Sequence, residues 1–200
     1  MKKLLTLFLC ALLLSGFSQD KELIGLNFNP HVSYYKLGNL KTEKILAFDY
    51  GFHYEVDVSE FMYVQLGLTY LDIGQKSTSQ LPNNGGLVTT VSTYYHNYYT
   101  SIPLNLFIKV KKFWFGVGAN ANIYLYSKIR DHLGQVATDR NDNNRSVMFG
   151  LKIAAGIKEK LTDNVYYHIM AYTQPIYSQM NSINYGVSAG ISVNLYGSEE

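Results

Sequence analysis

The sequence is short of the residues that several protein classes depend on. It has a single cysteine, Cys10, in 200 residues, which excludes an internal disulfide framework and leaves a Cys/His zinc cluster without ligands. Charged residues make up 16 % of the chain, and the formal net charge of +2 gives no electrostatic reason to bind nucleic acid. No long apolar run follows the first 17 residues. Yet 47 % of the residues are hydrophobic, far too many for a disordered chain. The length suits one domain of ordinary size. The abundant residue is tyrosine, present 18 times.

Residues 1–18 read as a cleaved signal peptide and 19–200 as one barrel domain. Lys2 and Lys3 form a basic start. Leu4 to Leu14 is an apolar stretch too short to span a bilayer comfortably, and Gly16 and Ser18 supply the small residues expected before a cut at Gln19. A lipid-attachment motif needs a small residue before the cysteine, and Leu9 stands there instead. Cys10 therefore reads as one more apolar residue of the signal. Once the segment is removed, the remaining 15 Lys and Arg match 15 Asp and Glu, and the mature chain is neutral and free of cysteine.

The rest of the chain alternates with a period of two, the mark of strands with one apolar face. Residues 46–58 place Leu46, Phe48, Tyr50, Phe52, Tyr54, Val56 and Val58 opposite Ala47, Asp49, Gly51, His53, Glu55 and Asp57. Comparable patterns run through 24–35, 62–71, 101–110, 113–126, 147–157 and 183–195. Residues 165–174 are apolar on both faces, so alternation leaves their facing open. The total is about eight strands. A soluble sandwich would turn the apolar faces inward, whereas a membrane barrel would turn them outward to lipid.

The connections favour the barrel. The gaps at 36–44, 59–61, 72–93, 111–112, 127–145, 158–164 and 175–182 alternate between longer and shorter. A meander with tight turns at one end and long loops at the other has this parity, and a Greek-key sandwich has no reason to keep it. The fold expected is all-β: an eight-stranded antiparallel up-and-down transmembrane β-barrel preceded by a cleaved signal peptide. Such strands must close, because every backbone group needs a partner in lipid. The tyrosines then fall near strand ends as aromatic girdles. Tyr34, Tyr70, Tyr98, Tyr99 and Tyr126 lie toward the outside, and Tyr54 and Phe113 toward the periplasm.

A family resemblance follows from four features. They are Ile102-Pro103-Leu104-Asn105-Leu106 after a Tyr-rich approach, Gly116-x-Gly118 after a two-lysine turn, the stretch from Gly150 to Gly156, and a final strand from Tyr185 to Tyr196. With these the chain resembles the outer-membrane β-barrel domain family of Bacteroidota-type bacteria, the porin-like or PorT-like group. The resemblance covers 20–196. It implies a fold and a location, the outer membrane of a Gram-negative bacterium with both termini periplasmic, more than an activity. One departure is the terminus, where Tyr196 is followed by Gly-Ser-Glu-Glu and alternation puts Leu195 toward lipid.

The polar face collects Asp49, His53, Glu55, Asp57, Gln65, Asn105, Lys109, Asn120, Asn122, Lys152 and His31. In so narrow a barrel this set reads as a polar network that plugs the lumen, with Lys109 and Lys152 as cations for the buried carboxylates. No catalytic residue, metal site or cofactor is expected. Asp139 to Asn143 has the opening spacing of a calcium loop, but Asn144 and Gly150 stand where glycine and glutamate are needed. His96 and His132 show no partner pattern. The expected role is structural or surface interaction by a monomer. Its partners would be outer-membrane lipids, the outer-membrane assembly machinery and an extracellular partner met through loops 72–93 and 127–145. The alternatives are a narrow solute channel, opposed by Phe107, Trp114 and Tyr124 on the lumen face, and a lipid-modifying enzyme with His53 or His168 near a serine at the rim. At the level of the fold, the alternative is a soluble barrel holding a lipophile.

Overall fold

The computed structural model describes residues 21–35, 42–82, 88–139, 147–177 and 182–195. The expected signal peptide lies outside them, as do Tyr196 and most of the calcium-like segment. Among the described residues there are ten strands and no helix: β1 (Glu22–Tyr35), β2 (Thr42–Glu43), β3 (Ile45–Ser59), β4 (Met62–Pro82), β5 (Val88–Val110), β6 (Phe113–Arg130), β7 (Val136–Asp139), β8 (Met148–Thr162), β9 (Val165–Tyr177) and β10 (Ser182–Asn194). Eight of them pair in chain order, each antiparallel to the next, and β10 returns to pair with β1. The protein is an eight-stranded up-and-down barrel. The short strands β2 and β7 lie on β4 and β6 beyond the closed wall.

Alternation sets which side chains face in. On β1, Ile24, Leu26 and Phe28 are exposed while Leu23, Asn29, His31 and Ser33 are buried. On β3, Leu46, Phe48, Tyr50, Phe52 and Tyr54 are exposed while Ala47, Asp49, His53 and Glu55 are buried. The same inversion runs round the wall. Buried carboxylates, imidazoles and amides inside an apolar exterior are the reverse of a water-soluble core, and the covering this exterior requires is lipid. A soluble barrel closed round a lipophile would carry its apolar face inward. The strand whose facing alternation left open is settled by the barrel: His168, Met170, Tyr172, Gln174 and Ile176 point in, and Ile169 and Tyr177 point out.

The two ends differ. Pairs of residues, 60–61, 111–112 and 163–164, join β3 to β4, β5 to β6 and β8 to β9 at one end. Lys111 in the second of these turns has φ of 59°, the left-handed conformation that two-residue hairpin turns demand. At the other end β4 and β5 are 21 and 23 residues long and stay paired from Met62–Ile108 to Pro82–Val88. About 9–11 tilted residues cross a bilayer, so this hairpin projects well past it. This corrects the expectation of a loop at 72–93. Residues 72–82 and 88–93 are strand, because backbone pairing continues where the hydrophobic contrast stops. Likewise the segment read as loop 127–145 begins with β6 continuing to Arg130, on which β7 folds back. On the projecting hairpin Lys76 bonds Glu43 of β2 at 2.9 Å, and that carboxylate holds the Lys76 ammonium above its ordinary pKa.

Inside, two apolar clusters share the lumen with a polar network. Toward the tight-turn end Tyr63, Phe107, Trp114, Ala154, Met170 and Tyr172 form one cluster, with Tyr63 stacked on Phe107 at 4.7 Å and edge-on to Trp114 at 4.8 Å. Toward the long hairpin Leu71, Ile73, Tyr99, Met148 and Ile176 form the other, with Tyr124 against them.

Candidate functional site

The polar network is the place where chemistry-bearing side chains meet. Glu55 of β3 is at its centre. Its carboxylate receives the ammonium of Lys158 on β8 and, at 3.0 Å, the amide N–H of Gln65, whose own oxygen accepts from Asn105 at 2.9 Å. Strand pairing explains part of this, since Glu55 faces Gln65 across β3–β4 and Gln65 faces Asn105 across β4–β5. Two positions before Glu55, His53 points the same way. Its Nε2 lies 3.2 Å from Glu55 Oε1 and 2.9 Å from Ser192 Oγ on β10. His168 of β9 meets His53 edge-on with ring centroids 5.5 Å apart, and its Nε2 is 3.4 Å from Ser188 Oγ.

A second group lies toward the hairpin. Asp49 accepts the backbone N–H of Asp72 at 2.9 Å and stands 3.5 Å from His31 Nδ1. His31 Nδ1 is also 3.1 Å from the Asn29 carbonyl, and its Nε2 is 3.0 Å from the Asp72 carbonyl, which ties β1 to β4 past β3. Asn120 donates to Asn122 at 2.7 Å and to Ser101 at 3.4 Å, and Asn122 donates to the Met148 carbonyl at 3.3 Å. Lys152 reaches over the Tyr172 ring at 4.7 Å and shares with Asp49 the lining of a central void of about 20 Å³. A void of that size holds about one water.

The structure thus brings Asp49, His53, Glu55, Gln65, Asn105, Asn120, Asn122 and Lys152 together in the lumen. It does not bring Lys109 there. Lys109 is exposed at the tight-turn mouth, 5.6 Å over the Trp114 ring. The cation that Glu55 receives is Lys158, which the fading alternation places in a turn at 158–164 but which the structure keeps in β8. Alternation could have found it, because Lys152, Ala154, Gly156 and Lys158 continue one face. His96, which showed no partner pattern, holds the Asp72 carboxylate at 2.9 Å.

On the outside, Tyr50, Tyr70, Tyr98 and Tyr126 form a row across β3 to β6, with successive rings 5.1, 5.3 and 4.8 Å apart. Tyr70 and Tyr126 share a hydrogen bond of 2.6 Å, and Lys128 sits 5.7 Å over Tyr98. Tyr54 and Phe113 are exposed nearer the tight turns, and Tyr34 is half-buried on β1. Tyr99 departs from the girdle. It is buried inside against Tyr124, 5.6 Å away, because neighbouring residues of β5 face opposite ways, and the extra residue Leu125 on β6 turns Tyr124 inward while Tyr126 stays out with Tyr98.

The lumen does not contain a serine–histidine–acid relay at His53. Such a relay uses both ring nitrogens, one for the nucleophile and one for the acid. Here Ser192 and Glu55 meet the same Nε2, and Nδ1 has no hydrogen-bond partner among the described residues. Ser192 is also 1 % exposed, inside rather than at a rim.

No family model and no curated protein matches the sequence. Solved structures do match. Neisserial surface protein A is 12 % identical over 87 % of this chain and 97 % of its own, with a TM-score of 0.52. The attachment invasion locus protein of Yersinia pestis is 11 % identical over 86 % and 99 %, with a TM-score of 0.43. OprG, an outer membrane protein of Pseudomonas aeruginosa, is 13 % identical over 88 % and 94 %, with a TM-score of 0.42. The first of these shares the fold, that of a small eight-stranded β-barrel, over most of this chain.

Proposed function

We propose that this protein is a monomeric integral outer-membrane β-barrel of a Gram-negative bacterium, with a structural or surface-interaction role. Both termini lie in the periplasm, and the long β4–β5 hairpin with the 127–145 region faces outward to an extracellular partner. The observation that carries the reading is the inversion of the barrel: an apolar exterior round a buried polar lumen, with two-residue turns at one end and a long hairpin at the other. The lumen is plugged by side chains. The aromatic layer of Tyr63, Phe107 and Trp114, the Glu55 network and the small central void support this reading. The resemblance to the Bacteroidota group, the cleaved signal and insertion by the outer-membrane assembly machinery belong to the same proposal.

The test is cell fractionation with an epitope placed at Gly85-Gly86. The expected product resides in the outer-membrane fraction, changes gel mobility on heating, and displays the epitope on intact cells. A soluble periplasmic product overturns the location. An epitope reached only after lysis overturns the orientation.

A further inference from the structure

We propose that His53, Glu55 and His168 form a lumenal binding site for a divalent transition-metal ion of the zinc class. The three residues come from β3 and β9 and are 2, 1 and 4 % exposed. They offer one donor atom each, and these atoms all lie within 4.8 Å of one another. Donors about 2.0–2.1 Å from a tetrahedral zinc ion stand roughly 3.4 Å apart. His53 Nε2 and Glu55 Oε1, at 3.2 Å, already have that spacing. The ligand set, two imidazoles and one carboxylate, suits zinc, cobalt and their neighbours, and it leaves a fourth position for Ser192 Oγ or water.

Two further observations belong to the site itself. First, the wall opposite the imidazoles is glycine. A Cβ on Gly25 would stand 2.5 Å from His53 Nε2 and 2.6 Å from Ser192 Oγ, and a Cβ on Gly190 would overlap the His168 ring. The barrel thus makes room for both rings at these two points. Second, there is a route in. A vestibule of about 570 Å³ opens at the tight-turn mouth, and Lys158 lines it while its ammonium rests on Glu55. An ion arriving from that mouth meets Lys158 first. Lys158 either swings outward as the ion binds Glu55 or stays on Oε2 while the ion takes Oε1.

The experiment is metal uptake by the refolded full-length barrel in detergent, with Zn²⁺ by elemental analysis and Co²⁺ by its visible spectrum. The expected result is about one ion per folded barrel, with Co²⁺ bands of low-symmetry four- or five-coordinate nitrogen and oxygen ligation. H53Q and H168Q should each weaken uptake by more than about tenfold, the loss that even a change behind the ligands produces. H96Q and H132Q, which alter histidines outside the lumen, should leave it unchanged. Heat-modifiable mobility confirms that each variant is folded. Absence of uptake by the folded wild type overturns the proposal without any variant. So does uptake that is lost in H96Q or H132Q and kept in H53Q and H168Q.

Discussion

Lys158 and Glu55 meet with side chains 7 % and 1 % exposed, so neither charge is shared with bulk water. Removing one partner from such a pair leaves the other charge uncompensated, and that costs about 3–5 kcal/mol. K158M should therefore destabilise the folded barrel by about that amount, read as the shift in the urea midpoint of refolded protein in lipid vesicles. Lys158 also sits 4.1 Å over the Tyr63 ring, so part of the loss is packing on the aromatic layer. The double variant K158M/E55Q removes both charges and should recover more than half of the loss. If it is as unstable as K158M alone, the ring contact outweighs the ion pair. The residue scale is where sequence reading was least complete. Glu55 was legible as a lumen carboxylate, but its cation is 103 positions away. Nothing in a local pattern links the two, and Lys158 looked like turn material because the apolar contrast of β8 fades after Ile157.

At the scale of elements, alternation located the barrel strands well and their ends poorly. Hydrophobic contrast exists only where one face meets lipid, so strands 62–71 and 101–110 were legible and their continuations were not. Residues 72–82 and 88–93 pair as strand beyond the lipid-facing belt, where Ser, Thr, Gln and Lys predominate and leave no continuous apolar stripe to read. The facing of β9 was illegible for the opposite reason, since Met170, Tyr172 and Ile176 make its lumen face as apolar as its lipid face. Two predictions belong here. The turn at Lys111-Lys112 holds a non-glycine residue at φ 59°, a conformation that costs a side chain about 1–2 kcal/mol. Glycine removes that strain and adds unfolded-chain entropy of about 0.5–1 kcal/mol. K111G should then be stabilising by up to about 1 kcal/mol in the same urea assay, and a loss of stability would show that the Lys111 side chain does something beyond shaping the turn. The second concerns β2. The Lys76 ammonium is held above its ordinary value of 10.5 by Glu43, so its contribution is fully present below that pH and is lost as pH rises through the higher folded value. Because the group is exposed, the effect is local. The β2–β4 contact should loosen in alkali while the barrel stays closed, read as faster hydrogen exchange at Thr42 and Glu43 than in the barrel strands.

For the whole molecule, the question is whether anything passes through. Eight strands enclose a space just wide enough for side chains to fill. Here Tyr63, Phe107 and Trp114 share the tight-turn half with the Glu55 network, and Leu71, Ile73, Tyr99, Met148 and Ile176 pack together in the other half. A hydrated ion entering at the tight-turn mouth would have to separate the buried Lys158–Glu55 pair and then cross the apolar Leu71 cluster, and each of these is unfavourable alone. The central void of about 20 Å³ does not join the two halves into a path. Planar bilayers holding the purified barrel should therefore show no steady conductance in potassium chloride. Truncating the aromatic cluster, as in F107A/W114A, should still leave the pore closed, because the polar network and the Leu71 cluster remain. Only a variant that also thins the far cluster, F107A/W114A/Y99A, should admit brief openings. Steady unit conductance in the wild type would mean that the side chains move aside readily, and the protein would then be a narrow channel rather than a closed scaffold for its outer hairpin.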